Sequence, residues 1–216
     1  MAIKGAIIDM DGTLLDSMHL WVGVGGRYVR KLGYEPTPEQ EKAMNGLMIE
    51  PMADYVKDNF PVGGTQEIHV RGLNSVVEPG YMSEVVPKPT VPETLEKMKA
   101  LGIRMVVATA TDRALTEAAL ERTGLAPYFE HIFCAPDKHQ SKYQPEIFRE
   151  AVYFLGLPDN EIYVFEDTLS SIRGAKAAGL KVIALRDKWS EKKRDTIKAE
   201  ADIYVEKMAD IDFPAL

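Results

Sequence analysis

Two carboxylates stand where an apolar run near the N-terminus ends. In AIIDMDGTLLDS, residues 6–17, Asp9 directly follows the apolar run and Asp11 comes two positions later. A carboxylate can attack phosphorus and form a covalent intermediate. A second carboxylate nearby could protonate the leaving oxygen and then take a proton from the attacking water. The spacing therefore indicates a nucleophile at Asp9 and a general acid/base at Asp11.

Polar residues also follow three later apolar segments. GIRMVVATAT ends at Thr109, Ala110 and Thr111, Lys142 precedes the helix after HIFCA, and EIYVFED ends in Glu166 and Asp167. A Mg²⁺ ion would offset the repulsion between a carboxylate nucleophile and phosphate, and the acid pair would complete its oxygen shell. Lys142 would balance the remaining negative charge. The hydroxyl and backbone N–H groups of the Thr109 turn would hold phosphoryl oxygens.

Each of these residues also has an ordinary structural explanation. An aspartate after a strand is often a turn residue or a helix N-cap, and Thr109 or Thr111 could cap the following helix. Lys142 could be an exposed lysine. Taken together these explanations do not account for the pattern, because four strand ends would have to carry acid, hydroxyl, base and acid by chance.

The elements that must position these residues alternate between strand and helix after about residue 90. Strands are predicted at 3–8, 102–111, 131–135, 161–167, 181–187 and 201–205, and helices at 112–123, 145–155 and 169–178. This alternation indicates βαβ units and a parallel sheet. The ends of parallel strands lie along one edge, so residues more than 150 positions apart would meet in one pocket.

The segment 17–87 is predicted to be a helical insert. It has no convincing β-branched run. The apolar residues that recur there at helical spacing are Trp21, Val24, Tyr28 and Leu32. This spacing indicates the buried face of a helix. A lone strand cannot form a domain, so the first strand must pair with the later ones. The prediction is a core of residues 1–16 and 88–216, with the insert at the edge where open α/β sheets bind ligands.

Composition excludes several classes of protein. The net charge of -7 over 216 residues argues against a general attraction to nucleic acid or to an anionic membrane. The single cysteine, Cys134, excludes an internal disulfide and fits a reducing compartment. No signal-peptide pattern and no apolar run of about 20 residues is present, so we expect a cytoplasmic protein.

The segments DMDGTLLDS, ATAT, SKYQPEIF and VFEDTLSSIRGAKAAG together resemble the four motifs of the haloacid dehalogenase-like superfamily. The resemblance is to its phosphatase and β-phosphoglucomutase-like branch, and it covers essentially the whole chain in the right order. It implies a Rossmann-like parallel sheet with helices on both faces, and it implies that residues 17–87 form a small helical cap.

The resemblance also implies a role for each matching residue. Asp9 matches the nucleophile. Asp11 matches the general acid/base, whose backbone carbonyl also binds Mg²⁺. Thr109 matches the hydroxyl of the second motif, and Ala110 and Thr111 lie on the turn that holds phosphate. Lys142 matches the third-motif lysine, Asp167 the direct metal ligand, and Glu166 a weaker ligand that is open to binding through water.

Three positions depart from the family pattern. Tyr143 stands where the family often has proline, and Ser171 stands where it often has glycine after the acid pair; both positions are expected to shape loops. In β-phosphoglucomutases a cap loop supplies an arginine to the second phosphate of a bisphosphate intermediate. The matching stretch here, NGLMIEPM at residues 45–52, contains no arginine, which argues against a mutase.

Other functions fit the motifs less well. Dehalogenases and phosphonate hydrolases of the same superfamily lack the second aspartate, so Asp11 favours phosphate esters. Phosphorylated signalling receivers carry similar residues but in a different chain order and without a cap. GVGGR at residues 23–27 lacks the glycine spacing of a dinucleotide site, and no GxxxxGK is present. The prediction is a Mg²⁺-dependent phosphatase of small phosphorylated metabolites that acts through an aspartyl phosphate, with a sugar-phosphate mutase as the alternative.

Overall fold

The apolar run before Asp9 forms a central strand of a six-stranded parallel sheet. A computed structural model describes residues 3–138 and 142–216. The strands are β1 (Gly5–Ile8), β2 (Arg104–Thr109), β3 (Ile132–Cys134), β4 (Ile162–Glu166), β5 (Lys181–Leu185) and β6 (Ile203–Val205). Their spatial order is β3-β2-β1-β4-β5-β6, and all five pairings are parallel. The predicted α/β class with a parallel sheet is confirmed.

The strand order reverses between β1 and β4. From β1 the chain continues to β2 and β3 on one side, whereas from β4 it continues to β5 and β6 on the other side. Gly5–Ile8 of β1 lies in register with 104–107 of β2 and with 162–165 of β4. In open α/β sheets the crevice outside such a reversal is where ligands bind, because the connecting segments leave it in opposite directions.

The chain divides into two compact units. One unit contains the sheet and comprises Met1–Asp16 and Val85–Leu216, and the other comprises Ser17–Glu84. The helices of the larger unit are α5 (Val91–Ala100), α6 (Arg113–Arg122), α7 (Glu146–Leu155), α8 (Leu169–Ala177) and α9 (Arg194–Glu200), and those of the smaller unit are α1 (Val24–Lys31), α2 (Pro38–Met44), α3 (Ile49–Asn59) and α4 (Gln66–Ser83). No helix among the described residues is long and apolar enough to cross a membrane.

One buried apolar cluster of the larger unit joins the sheet to helices α7 and α8. The strand residues of this cluster are completely or almost completely buried, and so are its helix residues Phe148, Ile172 and Ala175. Asp112 caps the start of α6 by accepting from Ala114 N, and Gly156 at φ 62° ends α7. These capping residues explain why the sequence predicts the helix boundaries closely.

The smaller unit is helical, and α4 packs against both α1 and α3. Val24 and Tyr28 on α1 are buried, as the helical spacing predicts. The same prediction is wrong for Leu32, which follows the helix and is 37% exposed. Trp21 precedes α1 and is only partly buried, and its indole Nε1 donates to the Tyr81 hydroxyl at 2.8 Å.

Candidate active site

Asp9 is placed at the sheet edge by continued pairing of β1 with β4. Its backbone N–H donates to the carbonyl of Phe165 at 3.0 Å. The chain then turns sharply, and Gly12 adopts a φ of +87°. A β-carbon at Gly12 would lie 2.5 Å from Asp167 Oδ2, so the turn packs against the end of β4 at a distance that only glycine allows.

Lys142 joins the first and fourth motifs. Its Nζ donates to Asp9 Oδ1 at 2.5 Å and also to Glu166 Oε1. Lys142 is 2% exposed. Burial alone would lower the pKa of its ammonium, but the carboxylates of Asp9 and Glu166 outweigh burial and raise this pKa. Lys142 is therefore a permanent cation between two carboxylates.

Both carboxylate oxygens of Glu166 are engaged. Oε1 accepts from Lys142, and Oε2 accepts from the backbone N–H groups of Asp167 and Thr168 at 2.9 and 3.1 Å. The Thr168 hydroxyl lies 3.3 Å from the same oxygen and 3.0 Å from the Ser171 hydroxyl. Ser171, at a position that departs from the family pattern, thus belongs to the hydrogen-bond network around Glu166.

Asp9 and Asp167 each present one oxygen with no partner. Asp9 Oδ2 and Asp167 Oδ2 are buried and have no hydrogen-bond partner among the described residues. One oxygen each from Asp9, Glu166 and Asp167 lies within 4.8 Å of the others. Three ionised carboxylates and the Lys142 ammonium leave a net charge of about −2 here, which one divalent cation would neutralise. The donor set and the unpartnered buried oxygens fit such a cation.

Burial makes these two carboxylates hard to ionise without a cation. Burial raises the pKa of Asp9 to about 8; Lys142 acts in the opposite direction, and Glu166 and Asp11 add to the increase. The pKa of Asp167 also lies well above its usual range because of burial and the nearby charges of Glu166 and Asp9. A divalent cation beside them would reverse both effects, since it favours the charged form.

Asp11 lies with the second motif. The Thr111 hydroxyl donates to Asp11 Oδ2 at 2.6 Å, and the Thr111 backbone N–H donates to the Thr109 hydroxyl oxygen at 3.1 Å. The Asp11 side chain is not part of the three-carboxylate group. A metal role for Asp11 therefore depends on its backbone carbonyl, as the family resemblance implies.

The role of the Thr109 turn in holding phosphoryl oxygens stays a prediction. In the structure the backbone N–H of Thr111 donates to the hydroxyl oxygen of Thr109. Thr109 and Thr111 are both buried, while Ala110 between them is half-buried. The structure thus brings the predicted residues together in two neighbouring groups, Asp9-Lys142-Glu166-Asp167 and Asp11-Thr109-Thr111.

Sequence reasoning assigned no role to several residues that surround the site. Thr13 donates its hydroxyl to Asp167 Oδ1 at 3.4 Å, and Lys88 forms an ion pair with Asp187 at 2.9 Å beside the Gly12 turn. Gly174 on α8 lies against the Lys142 backbone, where a β-carbon would be 2.3 Å from the Lys142 carbonyl oxygen. In the sequence Gly174 is a glycine inside a helical pattern, within the segment VFEDTLSSIRGAKAAG that resembles the fourth family motif.

Comparison with known proteins identifies the family. The haloacid dehalogenase-like hydrolase family matches residues 6–185. Pyrophosphatase PpaX of Bacillus velezensis is 30% identical over 97% of this chain and 94% of that protein. Fructose-1-phosphate phosphatase YqaB of Escherichia coli is 28% identical over 84% of this chain and 96% of that protein.

A solved structure has the same fold. CbbY from Rhodobacter sphaeroides in complex with phosphate is 23% identical, covers 97% of this chain and 96% of its own, and superposes with a TM-score of 0.83. The family match spans all the strands that border the site and includes Asp9, Thr109, Lys142, Glu166 and Asp167. The chain therefore belongs to the haloacid dehalogenase-like hydrolase family, and it is a hydrolase of that family.

Proposed function

We propose that this protein is a Mg²⁺-dependent phosphatase of small phosphorylated metabolites that acts through an aspartyl phosphate on Asp9. The observation that carries the proposal is the unequal environment of the two Asp9 oxygens. Oδ1 accepts from Lys142, whereas Oδ2 is buried and has no partner in the part of the chain that the structure describes. One oxygen is thus oriented for attack, and the other is left for a cation.

The cation would be held mainly by Asp9 and Asp167. Their Oδ2 atoms are the unpartnered buried oxygens, and the Asp11 carbonyl is the backbone ligand that the family resemblance implies. Glu166 already accepts bonds at both oxygens, so we assign it to positioning Lys142 and the Asp167 backbone, with contact to the metal only through water. When bound, Mg²⁺ supplies Lewis-acid polarisation of the phosphoryl group and offsets its charge.

The first step transfers the phosphoryl group to the protein. A bond forms between Asp9 Oδ1 and phosphorus while the bond from phosphorus to the ester oxygen breaks, and Asp11 gives its proton to that oxygen. The Thr111 hydroxyl holds Asp11 Oδ2 at 2.6 Å, which fixes the direction of the carboxyl group. Lys142 stays charged throughout and balances the developing negative charge.

The second step releases phosphate. Asp11, now ionised, takes a proton from a water molecule while the water oxygen bonds to phosphorus and the bond to Asp9 breaks. Each Asp11 proton given in the first step is regained in the second, so the residue returns to its starting state. The side chains that change protonation or bonding are therefore Asp9 and Asp11 alone.

The relatives support a small phosphorylated substrate. Two of them are named as a pyrophosphatase and a fructose-1-phosphate phosphatase. We propose sugar phosphates as the main class to test, with pyrophosphate as a second class. We also assign Ser17–Glu84 as the helical cap of the family. A cytoplasmic location remains the expectation drawn from the sequence.

The test is a screen for released orthophosphate. Purified protein is incubated with a panel of sugar phosphates, other phosphorylated metabolites and pyrophosphate, with Mg²⁺, with excess chelator, and with Ca²⁺ in place of Mg²⁺. We expect release from at least one substrate with Mg²⁺, none with chelator, and little with Ca²⁺, which prefers a higher coordination number. Full turnover in chelator, or equal turnover by the Asp9→Asn variant, would overturn the proposal.

A further inference from the structure

Lys88 is a largely buried cation that none of the proposed steps uses. Its Nζ donates to the carbonyls of Gly12 and Arg186 and to Asp187 Oδ2, the last two at 2.9 Å. An ammonium has three N–H groups, so these three oxygens occupy its whole donor capacity. The side chain of Lys88 is 17% exposed and that of Asp187 is 3% exposed, so the pair is mostly removed from water.

The backbone brings Lys88 to the loop that carries the first motif. The Lys88 N–H donates to the Leu14 carbonyl at 2.8 Å, and Leu15 pairs with Pro87 in the antiparallel direction. The chain therefore re-enters the larger unit alongside the segment through which it leaves. From this position the long Lys88 side chain extends to the Gly12 carbonyl.

Gly12 links Lys88 to the proposed metal ligands. The Gly12 backbone lies so close to Asp167 that a β-carbon there would be 2.5 Å from Oδ2. The Gly12 N–H donates to the Leu15 carbonyl at 2.9 Å, which orients the peptide that carries the Asp11 carbonyl. Lys88 binds the carbonyl of the next peptide. Both peptides that flank Gly12 are thus held, one by the loop itself and one by Lys88.

We propose that Lys88, neutralised by Asp187, is a positioning residue that holds the Gly12 turn against Asp167 and thereby sets the affinity of the site for a divalent cation. This inference rests on the proposed function, because it takes Asp167 and the Asp11 carbonyl as ligands. Residues that orient metal ligands typically contribute 10–100-fold to metal affinity. Lys88 itself contacts neither the reacting atoms nor the three-carboxylate group in the described contacts.

The positive charge of Lys88 and its positioning role have opposite effects on the affinity of the site for a cation. A lysine near a cation site repels the cation, so loss of that charge alone would tighten binding. Loss of positioning would weaken binding instead. The neutral variant Lys88→Met therefore separates the two explanations by the direction of the change.

The experiment measures divalent-ion affinity directly, without turnover. Mn²⁺ is titrated into the full-length metal-free protein, and free Mn²⁺ is followed by electron paramagnetic resonance. The variants are Lys88→Met, Lys88→Arg and a matched control, Lys176→Met, which removes a lysine ion pair with Asp202 elsewhere in the larger unit. Asp167→Asn identifies which bound Mn²⁺ belongs to the site. Circular dichroism confirms that each variant is folded.

We expect Lys88→Met to bind Mn²⁺ about 10-fold more weakly or worse, with Lys88→Arg restoring most of the affinity and Lys176→Met unchanged. Turnover of Lys88→Met should need more Mg²⁺ but approach the normal kcat at saturating Mg²⁺. Equal or tighter binding by Lys88→Met, or equal weakening by Lys176→Met, would overturn the inference.

The experiment also distinguishes a folding failure of Lys88→Met and a failure of the proposed function from a failure of this inference. If Lys88→Met does not fold, Lys88→Gln is measured in its place against the same criterion, since its amide keeps two N–H donors in a polar site. If the unmodified protein binds no Mn²⁺, or if Asp167→Asn binds it equally well, the proposed function fails. Normal binding that is lost in Asp167→Asn but kept in Lys88→Met overturns only the role of Lys88.

Discussion

The backbone of Gly174 contacts the backbone of Lys142 so closely that a β-carbon on Gly174 would lie 2.3 Å from the Lys142 carbonyl oxygen. Gly174 lies on α8, the helix that follows the acid pair, and Lys142 lies in the turn before α7. The two motifs are therefore joined by backbone packing as well as by the bond from Lys142 to Glu166. No side chain larger than hydrogen fits between them without a shift of one segment.

We expect Gly174→Ala to destabilise the protein by about 1–3 kcal/mol, the usual cost of overpacking, and to lower kcat. Alanine stabilises a helix by about 1 kcal/mol relative to glycine. A net loss of stability would therefore have to come from the clash with Lys142. Chemical denaturation measures the change. The control is Gly63→Ala, because nothing lies within 4 Å of a β-carbon at Gly63. A Gly174→Ala variant as stable and active as the unmodified protein would show that the contact is easily relieved.

Asp9→Asn and Asp11→Asn should fail at different steps. Asp9→Asn should form no phosphoenzyme, because the nucleophile is gone. Asp11→Asn should slow transfer from a sugar phosphate by about 10²–10⁴-fold, the usual contribution of general acid/base catalysis. The effect on p-nitrophenyl phosphate should be smaller in this step, since its leaving group barely needs a proton.

Rapid-quench kinetics with both substrates distinguishes these roles. Asp11→Asn should show a burst of p-nitrophenol followed by a stall, because hydrolysis of the phosphoenzyme lacks its base. If Asp11→Asn slows phosphorylation by the same factor for both substrates, Asp11 is a structural turn residue and its assignment as acid/base is wrong.

The stabilisation by Mg²⁺ should grow with pH. The pKa of Asp9 is raised from 3.8 to about 8 in the folded, metal-free protein. Between these two values the unfolded chain has lost a proton that the folded protein still holds, so the free energy of unfolding falls as pH rises through this window. Mg²⁺ favours the ionised carboxylate and must displace that proton, so its binding is stronger at higher pH.

Thermal denaturation with Mg²⁺ and with chelator, at several pH values from about 5.5 to 8.5, tests this. The difference in Tm between the two conditions should increase with pH. Asp9→Asn is the control: residue 9 no longer titrates, so the pH dependence should be reduced. A Mg²⁺ effect of the same size at every pH would contradict the assignment of Asp9 as a buried ligand.

A mutase activity should be absent or weak. The stretch 45–52 runs from the end of α2 into the first turn of α3 and contains no arginine to bind a second phosphate. Incubation with β-glucose 1-phosphate and a bisphosphate primer should release orthophosphate or cause no reaction. Efficient formation of glucose 6-phosphate, followed by a coupled dehydrogenase assay, would show that another part of the chain supplies the missing charge.

The sequence by itself determined the fold class and the residues that could do chemistry. Apolar strands that alternate with amphipathic helices require a parallel sheet, and parallel strands place their C-terminal ends along one edge. The sequence alone therefore assigns Asp9, Thr109 and the Glu166-Asp167 pair to one edge of the sheet. Local capping signals such as Gly156 also predicted helix ends, because they act within a few residues.

The tertiary structure decided which atoms of those residues are engaged. Only three-dimensional packing shows that Glu166 accepts bonds at both oxygens, while Asp9 and Asp167 each keep one oxygen without a partner among residues 3–138 and 142–216. Lys88 has no local signal that marks it, and Gly174 is marked only by its place in the segment that resembles the fourth motif. Their roles arise from contacts between segments more than 30 residues apart, and such contacts depend on strand register and helix packing, which local sequence patterns do not encode.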